Sequence, residues 1–352
     1  MQCVNKFSLI SPSPTSTSDF PNLQSNPTFL RLRIETKKPY HSSEAYDDNQ
    51  CKIVSKKAVL LPPNVKAITS TSNPFVKHCV KLRQSSSYRH SHSSVLVVGT
   101  TPIREIASFD KAQSQRPTID CLFVLENSQI PEEITKNAAR VVHVSSEVIS
   151  KISGVLSTDS VEVIALLKIP STFCDIGNSL DQKDFRRLFP FPHRILVLDG
   201  IQDPGNLGTL IRSAKAFGWD GVFQLPGCCD PFNDKALRAS RGACFQMPIV
   251  SGSWTHVETL GQEFQMKMLA GHPATDDCRY PVMRLCKEFA DSVAERGVCL
   301  VLGSEGGGLS DHSRKVCELV AIPMAGEFES VNVSVAGGIF MYMLQNERCK
   351  HV

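Results

Sequence analysis

The chain has 352 residues and carries 38 Lys and Arg residues against 35 Asp and Glu residues, a formal net charge of +3. This length predicts roughly two domains of about 150 residues each and a terminal extension. The hydrophobic fraction of 41% is ordinary for a globular protein, and no apolar run reaches the roughly 18–20 residues that cross a bilayer. The weak positive charge permits a nucleic-acid partner without requiring one.

The cysteines and histidines argue against disulfide and metal chemistry. The 13 cysteines form no CxxC pair, and the adjacent Cys228 and Cys229 do not replace one. We therefore expect free, mostly buried thiols in a reducing compartment. His90 and His92 lie close in sequence, but no further ligands accompany them, so the sequence predicts no metal site.

Residues 1–50 do not have the pattern of a folded element. The run from Ser11 to Ser18 consists of Ser, Thr and Pro, and the first 34 residues carry three basic residues against one acid, Asp19. This composition suits an organelle transit peptide, and a merely disordered N-terminus is the alternative. Serine outweighs arginine, which favours the chloroplast over the mitochondrion.

Alternating apolar runs and helical patterns between residues 66 and 170 predict a small α/β domain. Its first helix begins at Pro74 after a cap at Ser72 or Asn73, and later helices are expected from Ile103 and from Ser145. Four runs have the length and composition of strands: Val95–Val98, Cys121–Leu125, Val141–Val144 and Val163–Leu167.

Basic residues crowd the early part of this domain. They include Lys77, Lys81, Arg83 and Arg89, a composition that suits a surface in contact with phosphates. A solvated helix face explains the same residues equally well.

The second domain begins at Arg194, after a segment of residues 171–193 that we interpret as a linker because it has no sustained period. Its first predicted strand is Ile195–Leu198, buried on both faces. A turn at Asp203 follows, and Asn206 is predicted to cap the next helix. Arg212 lies off the apolar stripe of that helix, where it could hold an anion or simply be a surface residue.

A second loop follows the predicted strand that begins at Val298. It runs from Gly303 through Glu305 to Gly308, and its glycines let the backbone approach a ligand closely. The spacing does not match the nucleotide-phosphate motifs, and the single carboxylate suits a ligand with a positive or hydrogen-bond-donating part. A plain tight turn is the alternative.

The third loop follows the strand that ends at Ile322 and runs from Met324 to Val331. Asn332 then opens a helical pattern towards Leu344, and plain N-capping is the simpler interpretation of this residue. All three loops follow buried strands. Because ligands of open α/β sheets gather at the carboxyl ends of strands, the loops together predict a ligand site.

These residues resemble the SpoU (TrmH) family of S-adenosylmethionine-dependent RNA 2′-O-ribose methyltransferases over about residues 194–348, and the N-terminal composition suggests a plant organellar type. Three segments carry the resemblance in the family's order: Asn206-x-Gly208-x-x-x-Arg212, Leu302–Leu309, and Ile322-Pro-Met324 with Ser330–Ser334. The intervening Ser240-Arg-Gly-Ala243 matches the family as well.

The resemblance implies a SPOUT-type domain over residues 194–350, with a parallel sheet and a trefoil knot. It also implies a homodimer with active sites at the subunit interface. Segments Ile68–Lys77 and Ser145–Val148 resemble the family's N-terminal RNA-binding domain, which predicts an L30e-like α/β fold for residues 66–170. The implied partner is RNA, ribosomal RNA before transfer RNA. No metal and no membrane partner is expected from the histidines and the apolar runs described above.

The resemblance also implies the site residues. The reacting centre would contain Asn206, Arg212, Glu305 and Asn332. S-adenosylmethionine would lie against Gly303, Gly308, Ile322, Met324, Val331 and Asn332. The family usually has Leu where Val331 stands, and an apolar wall is retained.

A ribose 2′-hydroxyl must lose its proton as it attacks the sulfonium methyl, and the three motifs contain neither His nor Cys. Arg212 is therefore the candidate that orients the hydroxyl and the neighbouring phosphate. Two other classes of protein remain open: a base methyltransferase of the same superfamily, and a non-catalytic RNA-binding protein that retains the fold.

Overall fold

The computed structural model describes residues 64–109, 119–155, 161–177, 185–273, 281–326 and 330–345. The described residues all belong to one compact unit. The predicted transit peptide, residues 1–50, lies outside the described residues. No helix in the described part of the chain is long and apolar enough to cross a membrane.

The first sheet has five strands in the order β1-β4-β3-β5-β2. Its strands are β1 (Ala67–Ile68), β2 (Ser94–Val98), β3 (Ile119–Leu125), β4 (Val141–Val144) and β5 (Val163–Lys168). The helices among them are α1 (Pro74–Gln84), α2 (Ser86–His92), α3 (Thr100–Phe109), α4 (Glu132–Thr135) and α5 (Ser146–Ser153). β5 pairs antiparallel with β2 and β3, and the remaining pairs are parallel.

The sequence predicted most of these elements. Asn73 caps α1 by accepting a hydrogen bond from the Phe75 backbone N–H at 2.8 Å, as the sequence indicated. The side chains of β2 alternate between two cores, with Val95 and Val97 in one and Leu96 and Val98 in the other, because successive side chains of a strand point to opposite faces. The L30e-like assignment of this sheet stays a prediction.

The second sheet has eight strands, all parallel, in the order β11-β13-β10-β12-β7-β8-β9-β6. Its strands are β6 (Phe173–Asp175), β7 (Arg194–Asp199), β8 (Gly221–Gln224), β9 (Ile249–Ser251), β10 (Lys267–Gly271), β11 (Val282–Arg284), β12 (Val298–Gly303) and β13 (Glu318–Ala321). Its helices are α6 (Phe185–Leu188), α7 (Pro204–Ala216), α8 (Asp234–Ser240), α9 (Trp254–Glu263), α10 (Lys287–Ser292), α11 (Asp311–Val316) and α12 (Val333–Met343).

The segment interpreted as a linker is partly built into this sheet. Phe173 pairs with Ile249 as β6 adds an edge strand to β9, and Phe185 in α6 is buried in a core with Phe189 and Phe223. A three-residue strand is too short to show a period, so β6 could not be predicted from the sequence. The first strand predicted for the second domain, Ile195–Leu198, lies within β7.

One core joins the two sheets. It contains Val95 and Ile106 from the first sheet region together with Leu198, Leu210 and Phe340 from the second. The carboxyl ends of β7, β12, β10 and β13 lie at one edge, because neighbouring strands of a parallel sheet run in the same direction. The trefoil knot implied by the resemblance stays a prediction.

Candidate active site

A cavity of about 690 Å³ opens at the carboxyl ends of β10, β12 and β13. Its wall contains all six residues that the resemblance implied for the cofactor, Gly303, Gly308, Ile322, Met324, Val331 and Asn332, as well as Glu305. Apolar groups from Leu302, Ala336 and Phe340 also line it. The roles of the six implied residues in cofactor binding stay predictions, but the structure places all six around one cavity.

The backbone of the glycine loop after β12 approaches Gly303 too closely for a side chain at that position. A Cβ built on Gly303 would lie 2.3 Å from the Gly308 carbonyl carbon, which is far inside contact distance. Ser304 and Gly308 exchange backbone hydrogen bonds of 2.9 and 3.0 Å, and Gly308 has φ +64°, a value that favours glycine. The loop therefore turns back tightly and presents its backbone to the cavity.

Asp199, at the end of β7, anchors the far side of this loop. Its carboxylate accepts hydrogen bonds from the Ser310 backbone N–H at 3.0 Å and from the Ser313 hydroxyl. Ser310 in turn caps α11. The loop is thus held between two strands of the sheet and a helix start.

Three predicted catalytic residues form one hydrogen-bonded chain at the cavity rim. The Asn206 amide nitrogen donates to Glu305 Oε1 at 3.0 Å, and the Asn332 amide nitrogen donates to Asn206 Oδ1 at 3.1 Å. Asn332 Oδ1 accepts from the Ser334 backbone N–H at 2.9 Å, so Asn332 is also the helix cap that the simpler interpretation predicted. Residues far apart in sequence therefore fix one another's orientation.

Glu305 is held in its ionised form. Partial burial acts to raise the pKa of its carboxyl, but hydrogen bonds from Asn206 and from the backbone N–H groups of Gln202 and Asp203 favour the charged form, and the net pKa is lowered. The two backbone bonds are each 3.3 Å long. The Glu305 carboxylate therefore carries a negative charge at the rim of the cavity at neutral pH.

Asn206 is not the cap of α7, contrary to the sequence prediction. The helix starts at Pro204, and Asp203 is its cap, accepting a hydrogen bond from the Asn206 backbone N–H at 2.8 Å. Both residue types cap helices well, so local preference did not decide between them. The Asn206 side chain is consequently available to Glu305 and Asn332.

Arg212 does not join this chain of hydrogen bonds. It is exposed on α7 and lines a second, smaller groove with Lys215 and Arg241. It follows Asn206 by six residues, which is about 9 Å along a helix axis at 1.5 Å per residue. Its catalytic role stays a prediction.

Sequence reasoning missed two side chains that line the cavity, His272 and Arg314. His272 follows β10, and its Nδ1 lies 2.7 Å from the Pro273 carbonyl oxygen. Arg314 Nη2 donates to the Leu309 carbonyl at 2.6 Å, which supports the glycine loop. The sequence signal that could have identified His272 as a site residue is its position directly after the parallel strand β10.

The described residues contain no group of three or more His, Cys, Asp or Glu side chains that could hold a metal ion. The nine cysteines in the same part of the chain form no disulfide, and all are buried or half-buried, including Cys299 and Cys228. Burial raises the pKa of the Cys228 thiol to about 11, so it is protonated at neutral pH.

The fold and the cavity define a class: α/β proteins that bind a ligand at the carboxyl edge of a parallel sheet. The SpoU rRNA methylase family matches residues 193–342. An uncharacterized tRNA/rRNA methyltransferase of Synechocystis sp. is 31% identical over 299 residues, 82% of this chain and 96% of the relative. The chain belongs to the SpoU family of RNA methylases.

Two further similarities agree with this membership. The 23S rRNA (guanosine(2553)-2′-O)-methyltransferase RlmP of Bacillus subtilis is 28% identical over 234 residues, 63% of this chain and 88% of the relative. The AdoMet-bound rRNA methyltransferase of Sinorhizobium meliloti has the same fold, with a TM-score of 0.62 at 24% identity, covering 81% of this chain and 98% of that one.

Proposed function

We propose that the protein transfers a methyl group from S-adenosylmethionine to a ribose 2′-hydroxyl of structured RNA, ribosomal RNA first and transfer RNA next. The observation that carries the proposal is the hydrogen-bonded chain of Asn206, Glu305 and Asn332 at the rim of the cavity. It joins all three family motifs at one point. The naming of RlmP as a 2′-O-methyltransferase supports the ribose as the acceptor.

The cavity suits the cofactor in size and chemistry. Its volume of about 690 Å³ lies within the roughly 300–1,000 Å³ of small-molecule sites. The glycine loop offers backbone groups, Phe340 and Ala336 offer apolar contact, and Glu305 supplies a negative charge for a ligand that carries a sulfonium. The AdoMet-bound relative of the same fold supports this assignment.

In the proposed reaction, the 2′-oxygen would bond to the methyl carbon as the bond from that carbon to sulfur breaks. S-adenosylhomocysteine would leave, and the hydroxyl proton would pass to solvent water. Positioning supplies much of the acceleration. Asn206 and Asn332 hold the ribose and the loops in line, and Glu305 is fixed by its own hydrogen bonds. Arg212 stabilises the negative charge that develops on the attacking oxygen and binds the adjacent phosphate. Its planar fork of donors suits both tasks.

A homodimer completes this proposal. α12 carries an exposed apolar stripe at helical spacing, with Val335 52%, Ile339 38% and Tyr342 58% exposed, and Val331 at 42% extends it. A second copy of the chain would cover this stripe. Because Arg212 lies outside its own chain's cavity, we propose that it serves the cavity of the partner subunit.

We also propose a chloroplast location, with the mitochondrion as the alternative, on the composition of residues 1–50. Residues 1–65 fused to a fluorescent protein should direct it to chloroplasts in plant cells. Cytosolic fluorescence would contradict the proposal.

Product analysis tests the proposed reaction. Purified protein, labelled S-adenosylmethionine and unmodified ribosomal RNA should yield a 2′-O-methyl nucleoside after complete digestion of the RNA. A methylated base would identify a base methyltransferase instead. Failure to bind S-adenosylmethionine in calorimetry would favour a non-catalytic RNA-binding protein.

A further inference from the structure

A second groove of about 230 Å³ lies where the first sheet region meets the second. We name it the seam groove and define it by Glu105, Arg212, Lys215, Ser240, Arg241 and Gln246. Glu105 comes from α3 of the first sheet region, whereas the other five come from α7, α8 and the turn after α8. Both regions of the protein therefore form its walls.

Three cations and one carboxylate line the seam groove. Arg212, Lys215 and Arg241 form no ion pair with any residue in the described part of the chain. Lys215 is half-buried, and its Nζ lies 5.1 Å from the centre of the Phe109 ring. A partly buried ammonium that forms no ion pair favours an anionic ligand, since burial alone disfavours its charge.

The backbone that carries Arg241 is fixed in an uncommon conformation. Arg241 has φ 49° and Gly242 has φ 91°, and non-glycine residues adopt the left-handed region rarely. A Cβ on Gly242 would lie 3.0 Å from Ile106 Cγ1 and 3.2 Å from the Pro102 carbonyl. The turn therefore packs tightly against α3. A charged side chain at this strained position points to a functional role, because Gly or Asn would end α8 at lower cost.

The contact between the first and second sheet regions also orients the wall of the seam groove that α3 contributes. Gln246 Nε2 lies 3.4 Å from the Glu105 carbonyl oxygen, to which it donates. Phe109, at the end of α3, lies beneath the Lys215 ammonium. The positions of the cations thus depend on the first sheet region being seated on the second.

We propose that the seam groove binds a phosphodiester group of the RNA strand that leads to the target nucleotide. This inference rests on the proposed function, since it uses Arg212 as the residue shared between the groove and the reacting centre. Lys215 and Arg241 extend the positive charge of Arg212 along the substrate backbone. Phosphate contacts of this kind set the register of a nucleic acid without reading its sequence.

Matched variants test the seam groove. Lys215→Gln and Arg241→Asn each remove one cation, and Asn tolerates the left-handed backbone at position 241. Glu105→Gln removes the carboxylate. Lys235→Gln is the control, because Lys235 is exposed on α8 and lies outside the groove. The probes are a labelled 20-nucleotide single-stranded RNA for binding and unmodified ribosomal RNA for turnover.

We expect each cation variant to bind the RNA about tenfold more weakly, the scale of a lost charge-assisted hydrogen bond. The slope of log K against log salt should fall by about 0.7 per cation removed. KM for ribosomal RNA should rise while kcat stays near the wild-type value. Glu105→Gln should bind the RNA more tightly, a gain that misfolding does not produce.

The proposal is overturned if the cation variants bind the RNA as Lys235→Gln does, or if Glu105→Gln weakens binding. S-adenosylmethionine affinity, measured by calorimetry, should be unchanged in all four variants, which establishes that the cavity remains intact. Should the wild-type protein bind RNA but form no 2′-O-methyl nucleoside, the proposed function fails while the seam groove is still tested by the binding data.

Discussion

Glu305 accepts hydrogen bonds from the Asn206 side chain and from the backbone N–H groups of Gln202 and Asp203. The glycine loop after β12 is thereby tied to the loop after β7. Asn332 extends the tie to the start of α12. At the scale of single residues, the candidate site is thus a set of polar side chains that orient one another, with Arg212 as the exception.

Arg212→Ala should leave S-adenosylmethionine affinity unchanged, because the proposed reaction assigns Arg212 to the ribose hydroxyl and its neighbouring phosphate and not to the cofactor. Methyl transfer should fall by about 10²-fold or more, the scale of losing an electrostatic stabiliser of the transition state. Calorimetry and single-turnover transfer measure the two effects. Arg238→Ala is the control, since Arg238 is exposed on α8 and forms an ion pair with Asp234 of the same helix. Transfer near the wild-type rate would remove Arg212 from the reacting centre.

At the scale of elements, the parallel strands bring the loops together. β12 lies between β7 and β10, and β13 lies beside β10, so the loops after these strands emerge side by side. The close approach of the Gly303 and Gly308 backbones determines the shape of the loop that starts at Gly303. A side chain at Gly303 would collide with the backbone of Gly308. The cavity therefore depends on one glycine more than on its neighbours.

Gly303→Ala should weaken S-adenosylmethionine binding by about 10- to 100-fold, because relieving a clash of this kind costs roughly 1–3 kcal/mol of local distortion. Gly306→Ala provides the matched control in the same loop, since a Cβ there meets no atom within 4 Å. Calorimetry with the cofactor compares the two variants. Equal affinities would show that the shape of this loop does not govern cofactor binding.

At the scale of the whole molecule, a buried ion pair fastens the first sheet region to the second. Arg89 is 2% exposed, and its Nε lies 3.0 Å from Asp230 Oδ2, which also accepts from the Ser86 hydroxyl at 2.7 Å. Burial acts to raise the pKa of the Asp230 carboxyl, but His90, the charge of Arg89 and the Ser86 hydroxyl hold it well below its usual range. The contact between the two sheet regions is therefore stabilised by an ion pair as well as by apolar packing.

Asp230→Asn should lower the free energy of unfolding at pH 7 by about 3–5 kcal/mol, because Arg89 is left buried without its partner. The folded pKa of Asp230 lies below the unfolded value of about 3.9, so the contribution is present above that pH and is lost as pH falls through the folded pKa. The difference between variant and wild type should therefore shrink below about pH 4. Equilibrium denaturation of both proteins between pH 7 and pH values below about 4 measures this difference in the free energy of unfolding.

Glu132→Gln is the control for this prediction. It removes an exposed pair with Lys136 that contributes about 0–1 kcal/mol. If Asp230→Asn changed stability no more than this control, the ion pair would not hold the two regions together.

The proposed dimer predicts complementation between two inactive variants. Mixed subunits of Arg212→Ala and Glu305→Gln form heterodimers in which one cavity has an intact Glu305 and receives an intact Arg212 from the partner. We expect about a quarter of the wild-type methyl transfer after random exchange of subunits in a symmetric dimer. No recovery above the separate variants, with exchange shown by tag pull-down, would place Arg212 and Glu305 in the same subunit's site.

The sequence alone determined many of the elements and the order of the motifs. Helix α1 follows from its cap, and the strands β7 and β12 follow from apolar runs, because local backbone preferences and burial act over short stretches of chain. The loops that carry Glu305 and Asn332 were predicted to form a ligand site because each loop follows a buried strand, and the family resemblance implied the roles of the two residues. The resemblance to the SpoU family was also recognised from local motifs, and recognising these motifs requires no knowledge of packing.

Only the tertiary structure decided which of these pieces meet. It placed β6 at the sheet edge, gave the cap of α7 to Asp203 rather than Asn206, and directed Arg212 into the seam groove instead of its own cavity. These outcomes depend on strand order and on contacts between residues more than a hundred positions apart, such as Asn206 with Asn332. Such contacts form only when burial of the whole core offsets the loss of chain entropy, which no short stretch of sequence records.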